Sequence, residues 1–260
     1  MIHIDPSAVA IRDAFVMHRN VLAEGALSAS SAAADGAAAN ALGPQTYDFW
    51  TPTAVPATLA VTLASAVECD CAAIIAHNLG SKGATVEVQR HNGSTWISVQ
   101  SVTPEDDSDI FMLFEGVEAS QWRIRVTGAV ASIGVAMIGP RLLIPKGALP
   151  DYVPIYRALN VELMTSVTLG GQYVGSRRRR TSAGASIQLY QQELDWVEVE
   201  FDPFIEHFNA GLPFVWASCP DDLPRDAAYC WRAGPTIQPS LSFGARFVAI
   251  SMEVSAYVGG

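Results

Sequence analysis

The sequence predicts a mainly β protein: a β-sandwich in the first half, then a second β-rich region with one short helix. Two observations carry that expectation. Many short segments alternate apolar and polar residues, the period of a half-buried strand. Turn residues separate those segments at the short intervals typical of sandwiches. Half of the 260 residues are apolar and 16% are charged. Such a composition excludes global disorder and allows sizeable cores.

Residues 1–24 read as an N-terminal arm, with Ile11, Ala14 and Phe15 at helical spacing after Pro6-Ser7. From Gly25 to Gly43 alanine, serine and glycine dominate. Scattered Ser and Asn favour turns there, so a short strand at Leu27–Ser30 followed by an ordered loop is expected. Tyr47, Phe49 and Trp50 then bring large apolar area into a loop, as residues that plug the end of a core. Leu59, Val61 and Leu63 mark a period-two strand. Ala72–Ala76 is continuously apolar, as for a strand buried on both faces, and His77-Asn78 ends it in a turn.

Val86 and Val88 alternate with polar residues, Asn92-Gly93 tolerates positive φ, and Trp96 returns: a hairpin. An exposed acidic loop over Glu105–Asp109 precedes strands at Phe111–Phe114, Trp122–Val126 and Val130–Ile138. Residues 25–140 thus form the sandwich, and the proline-rich segment 141–154 a linker. In 155–260, strands are expected at Val161–Thr168, Ser186–Tyr190 and Val197–Phe201. Asp202-Pro203 then signals a helix start, Gly211 its end. Pro213–Ala217 and the alternating Arg246–Val258 complete the set.

The formal net charge is −10, which argues against duplex nucleic acid as a partner. No apolar run reaches the roughly 18 residues of a membrane helix, so membrane insertion is not expected. The N-terminus shows no basic region followed by an apolar stretch, and synthesis and folding in a cytosol are expected. Cys69, Cys71, Cys219 and Cys230 lack the spacing of a zinc site and read as small buried thiols. No metal or cofactor is implied, and no nucleophile–base, phosphate-loop or dinucleotide signature is present. The chain is therefore not expected to be an enzyme.

The run "SASS…AANAL…T…W…LAVTL…VEVQRHNGSTW…SQWRIRV" resembles the discoidin, or galactose-binding-like, jelly roll. Ser28–Ser31, Ala39–Leu42, Thr46, Trp50, Asn92-Gly93, Trp96 and Trp122–Ile124 stand at matching places, over residues 25–140. Members often carry an Asp beside a calcium site where this chain has Gly43-Pro44-Gln45. The resemblance implies surface glycans as ligands, at Tyr47, Trp50, His77 and Asn92. By its own position His77 reads better as a turn residue satisfying local backbone groups.

Arg177, Arg178, Arg179 and Arg180 form the sharpest charge feature. Flanked by Gly175, Ser176, Ser182 and Gly184, they read as an exposed mobile loop. Solvation, an acidic partner surface and nucleic acid all remain open for it. The order of a discoidin-like sandwich and a β-rich region with "GSRRRRTS…FDPFIEHFNAGLPFVW" is similar to minor tail and baseplate proteins of long-tailed bacteriophages. That resemblance implies a structural virion component. It would form a ring of its own copies through 155–260, next to tail-tube, tape-measure or hub proteins, in a virion tail assembled in the host cytoplasm.

Overall fold

A computed structural model describes residues 1–148, 151–242 and 246–259. The protein is mainly β. Its strands are β1 (Ile2–Ile4), β2 (Ala14–Met17), β3 (Ala26–Ala29), β4 (Ala57–His77) and β5 (Thr85–His91). They continue with β6 (Trp96–Val102), β7 (Ile110–Thr127), β8 (Ile133–Gly139), β9 (Leu142–Ile144) and β10 (Leu159–Val167). The last are β11 (Tyr173–Glu193), β12 (Phe214–Ala217), β13 (Ala227–Arg232), β14 (Ser240–Ser242) and β15 (Phe247–Ala256). The main helix is α1 (Asp202–Asn209).

One hydrogen-bonded sheet folds over to make the sandwich. The long strands β4 and β7 pair antiparallel along both their halves, and the register breaks between Thr62 and Val67 and again between Cys69 and Cys71. Before the break, β4 joins a leaf with β3, the end of β7, β5 and β6. After it, β4 joins a second leaf with the start of β7, β8 and β1. The bend itself is made of small residues, with Ala64, Ser65 and Ala66 exposed. Leu59, Val61, Trp122, Ile124, Val86 and Val88 of one leaf meet Ala72, Ile74, Met112, Phe114 and Ile138 of the other.

Because side chains alternate across a strand, the second leaf has another face to cover. Cys71, Ala73, Ile75, Phe111, Leu113, Val135 and Met137 pack against Phe15, Met17, Val215, Ala217 and Tyr229. Those residues belong to a second sheet, ordered β10-β11-β15-β13-β12-β2-β9, with β14 beside β15. Its far face takes Val16, Trp216, Ile187, Leu189 and the alternating Val248, Ile250, Met252 and Val254 against Phe201, Phe204 and Phe208. The molecule is thus a stack of three β layers closed by a helix, and Ala72–Ala76 lies inside it, buried on both faces as expected.

Three expectations are corrected. The N-terminal segment is divided between sheets rather than forming a helix: β1 extends the sandwich and β2 sits between β12 and β9. Ala14–Met17 is buried throughout, and a strand with two buried faces carries no helical stripe. The proline-rich 141–154 contributes β9 to that same sheet, and its residues 149 and 150 lie outside the described ones. Arg141 fixes the junction. Its buried guanidinium donates to Asp70 (Nε–Oδ2 2.9 Å) and to the Val9 carbonyl (3.0 Å).

The third correction concerns Val197–Phe201, which is helical. Val197, Phe201, Phe204 and Phe208 are buried while Val199 is exposed. Spacings of four, three and four define a helix face, which a three-residue alternation does not exclude. Pro203 has no N–H to close an ordinary turn, and the chain widens into a π-type turn just before it. Asp202 therefore continues a helical run instead of capping one. The helix ends as expected: Gly211 has φ +76° and its N–H reaches Phe208 O (2.9 Å).

Candidate functional site

The end of the sandwich where β4 terminates holds an open hollow of about 330 Å³. Phe49, His77, Asn78, Asp107, Ser132 and Tyr257 line it. Ala76, with φ +53°, turns the chain here, and its N–H donates to Asp109 Oδ1 (3.1 Å). His77 is held on both sides: Nε2–H donates to Ser108 O (2.9 Å) and Nδ1 accepts from Leu79 N (3.2 Å). That pattern fixes a neutral tautomer, and burial lowers its pKa, against the Ser108 contact. Asn78 Oδ1 accepts from Ser132 N (2.7 Å), which aims the amide. Among the described residues the Asn78 amide nitrogen and the Tyr257 hydroxyl make no hydrogen bond.

One carboxylate of the β6–β7 loop, Asp107, lines the hollow. The Ser81 N–H donates to Asp107 Oδ1 (2.9 Å) and holds that carboxyl below its usual range. Asp106 is held low by Ser108. Asp109 differs: burial pushes it up to about 6, against the Ala76 contact. The loop expected as uniformly exposed and acidic therefore turns its last carboxyl inward.

The residues expected to bind a glycan do not come together. Trp50 is fully buried. It bridges to Ile133 (N–O 2.8 and 3.0 Å) and its Nε1–H donates to Ser31 O (3.0 Å), so it offers no ring face to a ligand. Its neighbours are the exposed ones: Tyr47 is 73% exposed and Phe49 36%, a correction to their expected core role. Asn92 sits at the opposite end of β5 from the His77 turn, about 20 Å away at a strand's rise per residue. Its side chain caps the hairpin by accepting from Ser94 and Thr95 (3.0 and 2.8 Å). Trp96 lies outside the core, under Arg123 (4.2 Å to the ring centre) and beside His91. The sequence placed Asn78 only in the turn after His77 and Asp107 only in the acidic loop; nothing signalled Tyr257.

The arginine run is a strand, not a mobile loop. Arg177–Arg180 lie in β11, paired with β10 in a ribbon whose β10 residues are all exposed. A bulge falls between Glu162 and Leu163, and Arg179 Nη1 donates to Glu162 Oε1 (2.7 Å). Leu159, Val161, Leu163 and Val167, with Tyr173 opposite Val167, share one face by the two-residue period. Arg180 and Arg177 stand across from Glu162 and Met164 on the other. As the last strand of its sheet, β10 has an open edge.

Among the described residues no histidine reaches a serine or cysteine side chain: His77, His91 and His207 bond backbone groups. Among them, no group of three His, Cys, Asp or Glu is placed to hold a metal, and no helix is long and apolar enough to cross a membrane. Cys69, Cys71 and Cys230 are buried and Cys219 is partly exposed, all as free thiols.

No protein-family model matches the chain, and none of the curated proteins matches it in sequence. Solved structures similar to it include the family 32 CBM from C. perfringens NanJ in complex with galactose. That match has 21% identity and a TM-score of 0.40, over 48% of this chain and 98% of the module. Chitosan-binding module 2 of a chitosanase/glucanase from Paenibacillus sp. IK-5, in complex with chitotriose, has 19% identity and a TM-score of 0.39, over 45% and 98%. A putative α-L-fucosidase from Bacteroides thetaiotaomicron has 19% and 0.41, over 48% and 29%. At TM-scores of this size the ligands of those proteins remain properties of those proteins.

Proposed function

We propose that the chain is a non-catalytic recognition protein whose sandwich takes a surface glycan in the hollow at the end of β4. The observation that carries this reading is the hollow's lining. An exposed aromatic, Phe49, stands beside a carboxylate, Asp107, a free amide, Asn78, and a free hydroxyl, Tyr257. Sugars present a C–H face to aromatic rings and hydroxyls to such groups, and a few convergent polar groups are what fix orientation in a ligand site. A glycan array tests it. Wild type binds at least one glycan, and Asp107→Asn weakens that binding about tenfold, about 1.4 kcal/mol. Absence of any binding by the wild type ends the reading.

A second reading rests on the ribbon. Two strands with apolar side chains in solvent and an open edge are marginal alone and mark a contact surface. Four arginines on a chain of net charge −10 favour an acidic neighbour. This supports a structural subunit that assembles with its own copies, as in a phage tail tip or baseplate, with tail-tube, tape-measure or hub proteins beside it. Light scattering and electron microscopy decide it: a chain that stays monomeric at all concentrations and is absent from purified virions rules it out.

A further inference from the structure

The hollow at the end of β4 does not stop at Tyr257. Beyond that ring lies a second, larger hollow of about 480 Å³, at the junction of the sandwich and the second sheet. Tyr257 and Gly259 line both. The β6–β7 loop borders both as well, with Asp107 on one and Asp106, Ser108 and Asp109 on the other. The second sheet's side supplies Tyr156 and Arg225, whose guanidinium carbon lies 5.2 Å from the Tyr156 ring centre. Each hollow falls in the range of about 300–1,000 Å³ that small-molecule sites occupy.

We infer that the two hollows are one trough for a linear glycan of several units. The sandwich end takes one sugar, Tyr257 stands between subsites, and the next sugars lie between Asp106 and Arg225. This rests on the glycan reading above and extends it to a substrate class: a chain, not a single terminal sugar. Three features favour a chain. The hollows are adjacent, with Tyr257 and Gly259 common to both. The second hollow, like the first, sets an aromatic ring beside carboxylates, and it adds a cation, Arg225. Arg225 is exposed, so its guanidinium keeps donors available to hydroxyls.

Isothermal titration with galacto-, gluco- and N-acetylglucosamine oligosaccharides, from monosaccharide to hexasaccharide, tests the inference on the full chain. Affinity is expected to rise about tenfold or more with length in the series that binds. Arg225→Ala and Tyr156→Ala are expected to remove that gain while leaving monosaccharide affinity unchanged. Arg225 is a surface side chain, so a matching thermal midpoint confirms that the variant is folded. Equal affinity for short and long members, or a gain that survives both substitutions, overturns the trough and leaves the sandwich site standing. If no member of any series binds, the glycan reading itself fails and the trough goes with it.

Discussion

Two strands of this protein have the same length and opposite surroundings. Both β4 and β11 run for 21 residues. The last seven residues of β4 are all buried, whereas the first eight of β11 are almost all exposed. Both are paired antiparallel with their neighbours. What differs is cover: the end of β4 lies between the first leaf and the second sheet, while β11 starts with only β10 beside it. Further along β11, where the helix packs on the sheet, Ile187 and Leu189 are buried too. Burial here is a property of the layer a residue falls in, and one strand crosses from one regime to the other.

The sharpest way to break that comparison is to put the same charge into both strands. Ile74→Asp sets a carboxylate between the two leaves and is expected to cost about 5 kcal/mol or more. Arg178→Asp in the ribbon is expected to change the unfolding free energy by no more than about 0.5 kcal/mol. Urea unfolding of the two variants measures both, and comparable losses would show that the ribbon is packed after all.

A somewhat smaller effect is expected at the charge β4 already carries. Asp70→Asn leaves the Arg141 guanidinium buried without its counter-charge, at an expected cost of about 3–5 kcal/mol. Arg177→Gln, which strands no partner, is expected to change little. Equal stabilities for Asp70→Asn and the wild type in chemical denaturation would mean that Arg141 finds water or another partner.

The smallest effect is a pH dependence on the covered face of the second sheet. His18, beside Phe204 and His207, is pushed down to about 4 by burial, with the charges of His207 and Arg19 adding to it. The unfolded chain takes a proton near pH 6.5 that the folded one refuses. Stability contributed by neutral His18 is therefore lost as pH falls from 6.5 and levels off near 4. Asp109, raised to about 6 by burial, acts with the opposite sign, so the readout is the difference between wild type and His18→Gln. Thermal midpoints across this window are expected to converge as pH falls; a constant difference removes His18 from the account.

Most of the fold was legible because period two survives wherever one face is wet. Leu59–Leu63, Val86–Val88, Trp122–Val126 and Val248–Ala256 all appear where their alternation put them. The failures cluster where that signal vanishes. β2 is buried on both faces, so it carries no alternation, and in isolation it looks helical. The arginines misled for the opposite reason: exposure and flanking glycines suggested a loop, but the pairing with β10 lies in a partner segment that composition does not reveal. The candidate site was legible only in part. His77 and the acidic loop flagged its location, while Tyr257 reaches it from the far end of the chain and Trp50, the most sugar-like residue by type, is committed to the core.

The placing of β2 has a consequence for how the molecule forms. Met17 pairs with Val215 and Phe15 with Ala217, so β2 waits for a partner that comes much later in the chain. All of the sandwich except β1 lies between them in the chain. Contacts this distant in sequence slow folding, because loop closure must precede any return from the pairing. The sandwich, whose own pairings all fall before Gly139, can be complete while Phe15 and Met17 are still uncovered. It then presents a finished apolar wall on which the second sheet assembles, a template as much as a neighbour.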